Sequence, residues 1–260
     1  MIKKITNILC IVTLTFLAGC LGVEKKEYYF KLKEIILNTK NELNKYDLMG
    51  AYVHMGVYCI EMISKGKMNF ERERFELYKE ELSEKTYIMN DKSMSPLFYR
   101  NVVDSALSLN ELNWVKNFIH TYKSELNTKF RGNYFYYCLA LYEFSMRNFE
   151  LSLELVSKIK YDEVYMKQKS KVLHLQLLYE LGFDDSLISS LESFRHFLNN
   201  NKLIPDEKKV PLYNFNKYLN RIISINNKKS RSEKDLLLHN ISKETNLTNK
   251  NWLISKVKSL

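Results

Sequence analysis

The chain has 260 residues, 45% of them hydrophobic, with 18 Tyr and 14 Phe, so it can bury a sizeable core and is not a disordered chain. Seven Gly and three Pro are too few for the many tight turns of a sheet-rich fold, which favours long helices joined by short connections. The net charge of +10 is uneven, because residues 202–260 hold 13 Lys or Arg against 5 Asp or Glu, and this end can meet an anionic partner or simply stay solvated.

Met1-Ile2-Lys3-Lys4 precedes an apolar stretch from Ile5 to Leu17, which runs into Leu17-Ala18-Gly19-Cys20. A positive start, a short apolar core and small residues before a cut site have the order of a secretory signal. The stretch falls short of the roughly 20 apolar residues that span a bilayer. Its last four residues resemble the lipobox of bacterial lipoprotein signal peptides. That resemblance implies a signal over 1–19, cleavage before Cys20 and a diacylglycerol on Cys20. Leu21, standing where an Asp would signal retention, implies the outer rather than the inner membrane. The alternative is that Ile5 to Leu21 is itself a helix of the body, in a cytoplasmic protein.

Apolar spacing then predicts helices at 27–45, 48–64, 68–83, 96–109, 111–126 and 130–146. It predicts six more at 149–159, 162–182, 184–199, 206–226, 231–243 and 248–258. From Trp114 the apolar face continues through Val115, Phe118, Ile119 and Tyr122. Pro96 suits a first helical position, and Asp184, Asp185, Asp206 and Glu207 suit the positive ends of helices. Val115, Ile119, Leu139, Ala140, Leu153, Val156, Leu173 and Leu191 are expected in the core. Trp252, Leu253, Ile254 and Val257 fit one face of a last helix that caps the body by burying Trp252, while Lys228, Lys229, Arg231 and Lys234 are expected in solvent.

Phe70, Leu112, Phe149 and Phe183 each open a helix after a short polar turn, at intervals of 42, 37 and 34 residues. A period in that range is typical of stacked helical pairs, where each pair needs a neighbour to cover its apolar face. The fold class expected is all-α, an array over 20–226 with basic capping helices over 227–260. Aligned on Phe149, the residues Tyr136, Leu139, Ala140, Ser152 and Val156 resemble the tetratricopeptide pattern of large, aliphatic and small positions. Val103 and His174 depart from it, standing where that family has a small residue. The resemblance covers about residues 68–200 and implies a right-handed α-solenoid of antiparallel pairs. It also implies a concave groove lined by Arg100, Asp104, Tyr134, Tyr137 and Lys171, where a peptide or helix would bind. The competing expectation is that the tyrosines pack between helices. Leu191 to Leu198 and Trp252-Leu253-Ile254 also resemble repeat-like proteins of Bacteroidetes-type bacteria, a likeness that implies no activity.

Residues that carry chemistry are sparse. Five His stand apart from one another, His174 between two Leu, and no His-Glu-x-x-His, phosphate loop or nucleophile elbow occurs. Cys59 and Cys138 lie on apolar helical stretches, where a free thiol packs as a small hydrophobe. No metal, cofactor or catalytic role is expected. The sequence points to a lipid-anchored helical-repeat protein that binds a protein or peptide at the bacterial cell envelope, with no nucleic acid. The alternative is a cytoplasmic adaptor whose basic C-terminus contacts nucleic acid or another acidic partner.

Overall fold

The computed structural model describes residues 26–88, 92–160, 163–228 and 231–260, so the signal-like segment and Cys20 lie outside the described residues. All twelve long elements among the described residues are α-helices. They are α1 (Lys26–Thr39), α2 (Lys45–Ser64), α3 (Asn69–Ser83), α4 (Pro96–Ser108), α5 (Leu112–Thr121) and α6 (Thr128–Ser145). There follow α7 (Phe149–Ser157), α8 (Val164–Glu180), α9 (Asp184–Asn200), α10 (Asp206–Lys228), α11 (Arg231–Lys243) and α12 (Lys250–Ser259). Two isolated bridges through Met94 are the only extended pairings among the described residues, so no sheet forms there.

The recurring junctions have a common geometry. Gly66, Asn110, Arg147 and Gly182 each take a left-handed backbone, with φ between 59° and 79°. After each, an N–H reaches back five residues to a helix carbonyl: Lys67 to Met62, Glu111 to Ala106, Asn148 to Glu143 and Phe183 to Leu178. This closure satisfies carbonyls that a helix end leaves unbonded, and it needs a left-handed residue, which Gly and Asn accept most readily. The next helix starts within three residues, so a helix-to-helix turn stays short. Lys85 (φ 51°) closes α3 in the same way through Thr86 and Glu81.

Two helices differ from the sequence expectation at their ends. The helix expected over 27–45 stops at Thr39 and tightens into a 3-10 turn, Lys40–Glu42. Asn44 then caps α2, its side chain accepting from the N–H groups of Tyr46 and Asp47 at 3.0 Å. That cap satisfies two orphan donors and starts a new helix where periodicity alone shows a continuous one. In the same manner α5 ends at Thr121 and continues as a 3-10 turn, Tyr122–Glu125.

The chain forms two compact units, one up to Tyr142 and one from Glu143, with the division inside α6. In the first, α1 to α4 each pack on the next helix in the chain. Its core joins Tyr29, Leu32 and Ile36 of α1 to Tyr52 and Met55 of α2 and Phe70 of α3. A string of rings follows, Phe75 on Trp114 at 4.8 Å, Trp114 on Phe118 at 5.4 Å and Phe118 on Tyr122 at 4.9 Å. In the second unit α7 to α11 again pack in chain order, and α12 packs on both α10 and α11. Leu187, Leu191 and Phe194 of α9 share that core with Phe215 of α10, Ile241 of α11 and Leu253 of α12.

Of the eight expected core residues, Val115, Ile119, Ala140, Val156, Leu173 and Leu191 are buried. Leu139 and Leu153 are only half-buried. Leu155, two positions on, takes the interior place in α7. Phe183 opens α9 with its ring exposed, although Phe70 in the corresponding place is buried.

Candidate partner-binding surfaces

The residues expected in a groove divide between the two units. In the first, Arg100 and Asp104 stand one turn apart on α4 and form an ion pair of 2.9 Å. Arg100 also donates to the Asn101 side chain at 2.9 Å. On α3, Arg74 pairs with Glu71 at 3.0 Å. Between these charges the Tyr78 phenol is pushed up to about 12, chiefly by burial. Cys138 on α6 feels the charges of Asp104 and Arg100, while burial drives its thiol well above its ordinary value. The thiol is therefore held un-ionised and inert. The charges form a half-buried polar layer whose ions already face each other.

The tyrosines do not join an open groove. Tyr134 is 3% exposed and Tyr137 6%, so both rings lie in the interior. The expectation that they line a surface is corrected to the competing one, packing between helices, because α6 is apolar around most of its circumference. Lys171 belongs to the second unit. It lies half-buried on α8 with its ammonium 5.8 Å from the centre of the Phe197 ring. Burial lowers its pKa, and Lys167 lowers it further. Burial followed by the Lys171 charge also lowers His174, which stays neutral on the same helix.

No protein-family model, no curated protein and no solved structure matches this chain.

The surface that periodicity missed is on α2. This helix is apolar on both sides. Leu48, Ala51, Tyr52, Met55, Tyr58 and Met62 face the core. On the opposite side Tyr46, Val53, Val57 and Ile60 are all more than half exposed. Their spacing of seven, four and three residues keeps them on one stripe, roughly 21 Å long at 1.5 Å per residue. No neighbouring atom lies within 4 Å of where a Cβ would stand at Gly50 or Gly56, so the backbone there is open to close approach. A helix that is apolar all round is normally covered all round. The sequence carried this signal, since Lys45–Ser64 has few charges to mark an outer face.

The basic end is only partly as expected. Lys229 and the side chains of Lys228 and Arg231 lie outside the described residues. Lys234 is half-buried rather than free in solvent, and its ammonium donates to the Lys258 carbonyl at 3.2 Å. Among the described residues no group of three or more His, Cys, Asp or Glu could hold a metal ion, and no helix is long and apolar enough to cross a membrane.

Proposed function

We propose that this chain is a non-catalytic helical scaffold that binds an amphipathic helix of a partner protein along the outer stripe of α2. It is held at the bacterial cell envelope by lipid on Cys20. The open second face of α2 carries this reading. Helix-in-groove recognition uses apolar anchors at i, i+3, i+4 and i+7, and Tyr46, Val53, Val57 and Ile60 offer the matching rows. The closures at Gly66, Asn110, Arg147 and Gly182 support a right-handed solenoid of antiparallel, tetratricopeptide-like pairs as its frame. Lipidation leaves the stripe to a partner, because cleavage before Cys20 removes the only apolar segment upstream of α1 in this sequence.

A second reading draws on the same stripe. If Ile5–Leu17 is retained, it is the nearest apolar segment able to cover α2, and the chain is a cytoplasmic adaptor with a basic C-terminus for an acidic partner. One experiment separates the two. A photo-crosslinking residue is placed at Val57 in cells, and the mature N-terminus is weighed by mass spectrometry. The first reading expects a mature chain starting at acylated Cys20, a processing step lost in Cys20→Ser, and a crosslink to a helical peptide of another protein. A chain beginning at Met1 or Ile2, with the crosslink falling on its own residues 5–17, would establish the second.

A further inference from the structure

In the second unit α10 and α11 leave a cleft of about 680 Å³ between them. It is lined by Lys217, Tyr218 and Arg221 of α10, by Leu237, Asn240 and Lys243 of α11, and by Glu244. The volume is that of a small-molecule site, well above what a lone ion needs. Tyr218 and Leu237 are buried and give the cleft an apolar floor, whereas Lys217, Arg221, Asn240 and Lys243 are exposed at its rim. The Lys217 ammonium lies 4.9 Å from the centre of the Tyr218 ring.

The charges of this cleft are out of balance. Its one carboxylate, Glu244, is already engaged. It accepts from the Tyr218 hydroxyl, which raises the phenol's pKa after burial has done so, and from the Asn246 N–H at 3.3 Å. Among the described residues no carboxylate forms an ion pair with Lys217, Arg221 or Lys243. Lys217 and Arg221 stand one helical turn apart, where like charges repel, and Lys243 adds a third cation from across the cleft. Three cations against one carboxylate around an apolar floor leave a net positive cleft that suits a multiply charged anion carried on a less polar body. A guanidinium offers a planar fork to such an anion, and two ammonium groups offer point charges.

We propose that the α10–α11 cleft binds a phosphate-class anion, with the phosphoryl oxygens on Lys217, Arg221 and Lys243 and the rest of the ligand over Tyr218 and Leu237. The site is independent of the α2 stripe and of lipidation at Cys20. The phosphoryl group belongs either to a soluble phosphoester or to an anionic lipid headgroup.

The test uses the full chain, with pyrophosphate as the soluble probe followed by calorimetric titration. Vesicles of phosphatidylglycerol are compared with vesicles of phosphatidylcholine by sedimentation. Saturable pyrophosphate binding is expected, weakened by added salt. Arg221→Gln and Lys243→Gln should each weaken it by about tenfold or more, because each removes a charge-assisted contact. Both positions are exposed, so the thermal midpoint without ligand should stay put and show that the variants fold. Selective retention on phosphatidylglycerol, competed by pyrophosphate, identifies the headgroup as the source, and pyrophosphate binding without that selectivity identifies a soluble phosphoester. Three results would overturn the proposal: no saturable binding of pyrophosphate or phosphatidylglycerol, binding unchanged in both variants, or binding confined to a nucleic-acid polymer.

Discussion

The first and second units treat the outer faces of two of their helices in opposite ways. In the first, the outer face of α2 carries an apolar stripe, Tyr46, Val53, Val57 and Ile60, that is more than half exposed. In the second, α12 buries Leu253 and Val257 completely and turns Asn251, Ser255, Lys258 and Ser259 outward. The same contrast holds for two carboxyl groups. Glu81 on α3 is buried, no cation forms an ion pair with it among the described residues, and burial pushes its carboxyl up to about 8. Glu180, at the end of α8, accepts from the Trp252 indole N–H at 2.7 Å and pairs with Lys256 at 2.6 Å. One unit leaves its buried acid without a cation, and the other pairs its half-buried acid by bringing α12 to it. A polar outer face and paired ions are what a terminal cap needs to be soluble. The α2 stripe presents apolar side chains in place of that polar face.

The largest expected effect tests the closed end. Leu253→Ala removes a side chain that is fully buried against α10 and α11. It should cost about 2–5 kcal/mol, the usual range for a core leucine. Urea unfolding followed by circular dichroism would give the shift. A loss no larger than that of an exposed control such as Leu203→Ala would mean that α12 is not part of the second unit's core.

The second effect sharpens the contrast between the two acids, and its sign follows from linkage. Glu81 titrates near 4.5 when unfolded and near 8 when folded. Between those values the folded chain keeps a proton that the unfolded chain has released. Its contribution to stability is therefore complete below the unfolded value and is lost as pH rises through the folded one. The slope from this single group is roughly 1.4 kcal/mol per pH unit at most. Glu81→Gln keeps the shape and removes the proton exchange. The variant should lose that decline, and its gain over wild type should be largest once the pH has passed about 8. Parallel pH profiles of the two proteins would show that Glu81 meets water or a cation after all.

Much of this architecture is legible in the sequence, and the omissions share one cause. Gly66, Asn110 and Gly182 mark helix ends because few other residues accept the left-handed backbone that the closure needs. Asn44 ends a run that periodicity extends to residue 45, since a cap acts through one side chain and leaves no periodic trace. Periodicity also shows which residues share a face without showing what covers that face. Tyr134 and Tyr137 are buried, Leu139 and Leu153 are half-buried and Phe183 is exposed for that reason. Trp252 was expected to be the buried anchor of the last helix. It is half-buried instead, because its indole N–H must reach Glu180 while Leu253 and Val257 fill the interior. The α10–α11 cleft joins Lys217 and Arg221 to Lys243 across two helices, a proximity that no local motif encodes.

A smaller effect isolates the cap's ion pair. Glu180→Ala leaves the Lys256 ammonium and the Trp252 N–H without their acceptor in a largely buried setting. Leaving such groups unpaired costs about 1–3 kcal/mol. Lys256→Met should cost less, since it removes the charge and keeps an apolar stem on the Trp252 ring, 5.8 Å from its present ammonium. Thermal midpoints of the two variants, measured side by side, would check the order. If Lys256→Met proved the more damaging change, the Glu180 carboxylate rather than the Lys256 ammonium would be the costlier group to leave unpaired.

The smallest expected effect decides whether the open end is open. Val57→Asp puts a charge in the middle of the α2 stripe. If the stripe faces solvent in the free protein, the change is a surface substitution and should move stability by less than about 0.5 kcal/mol. The helical content and the unfolding midpoint would then match wild type, while any partner helix would be lost to the buried charge. If residues 5–17 of the same chain lie over Val57, the aspartate is buried without a cation and should cost several times as much. A chain beginning at Cys20 supplies the control, because it has no such segment to lose. Equal and small effects in the full chain and in the chain from Cys20 leave α2 to a partner. A large effect confined to the full chain makes the stripe an internal contact and removes the contrast between the two units at its source.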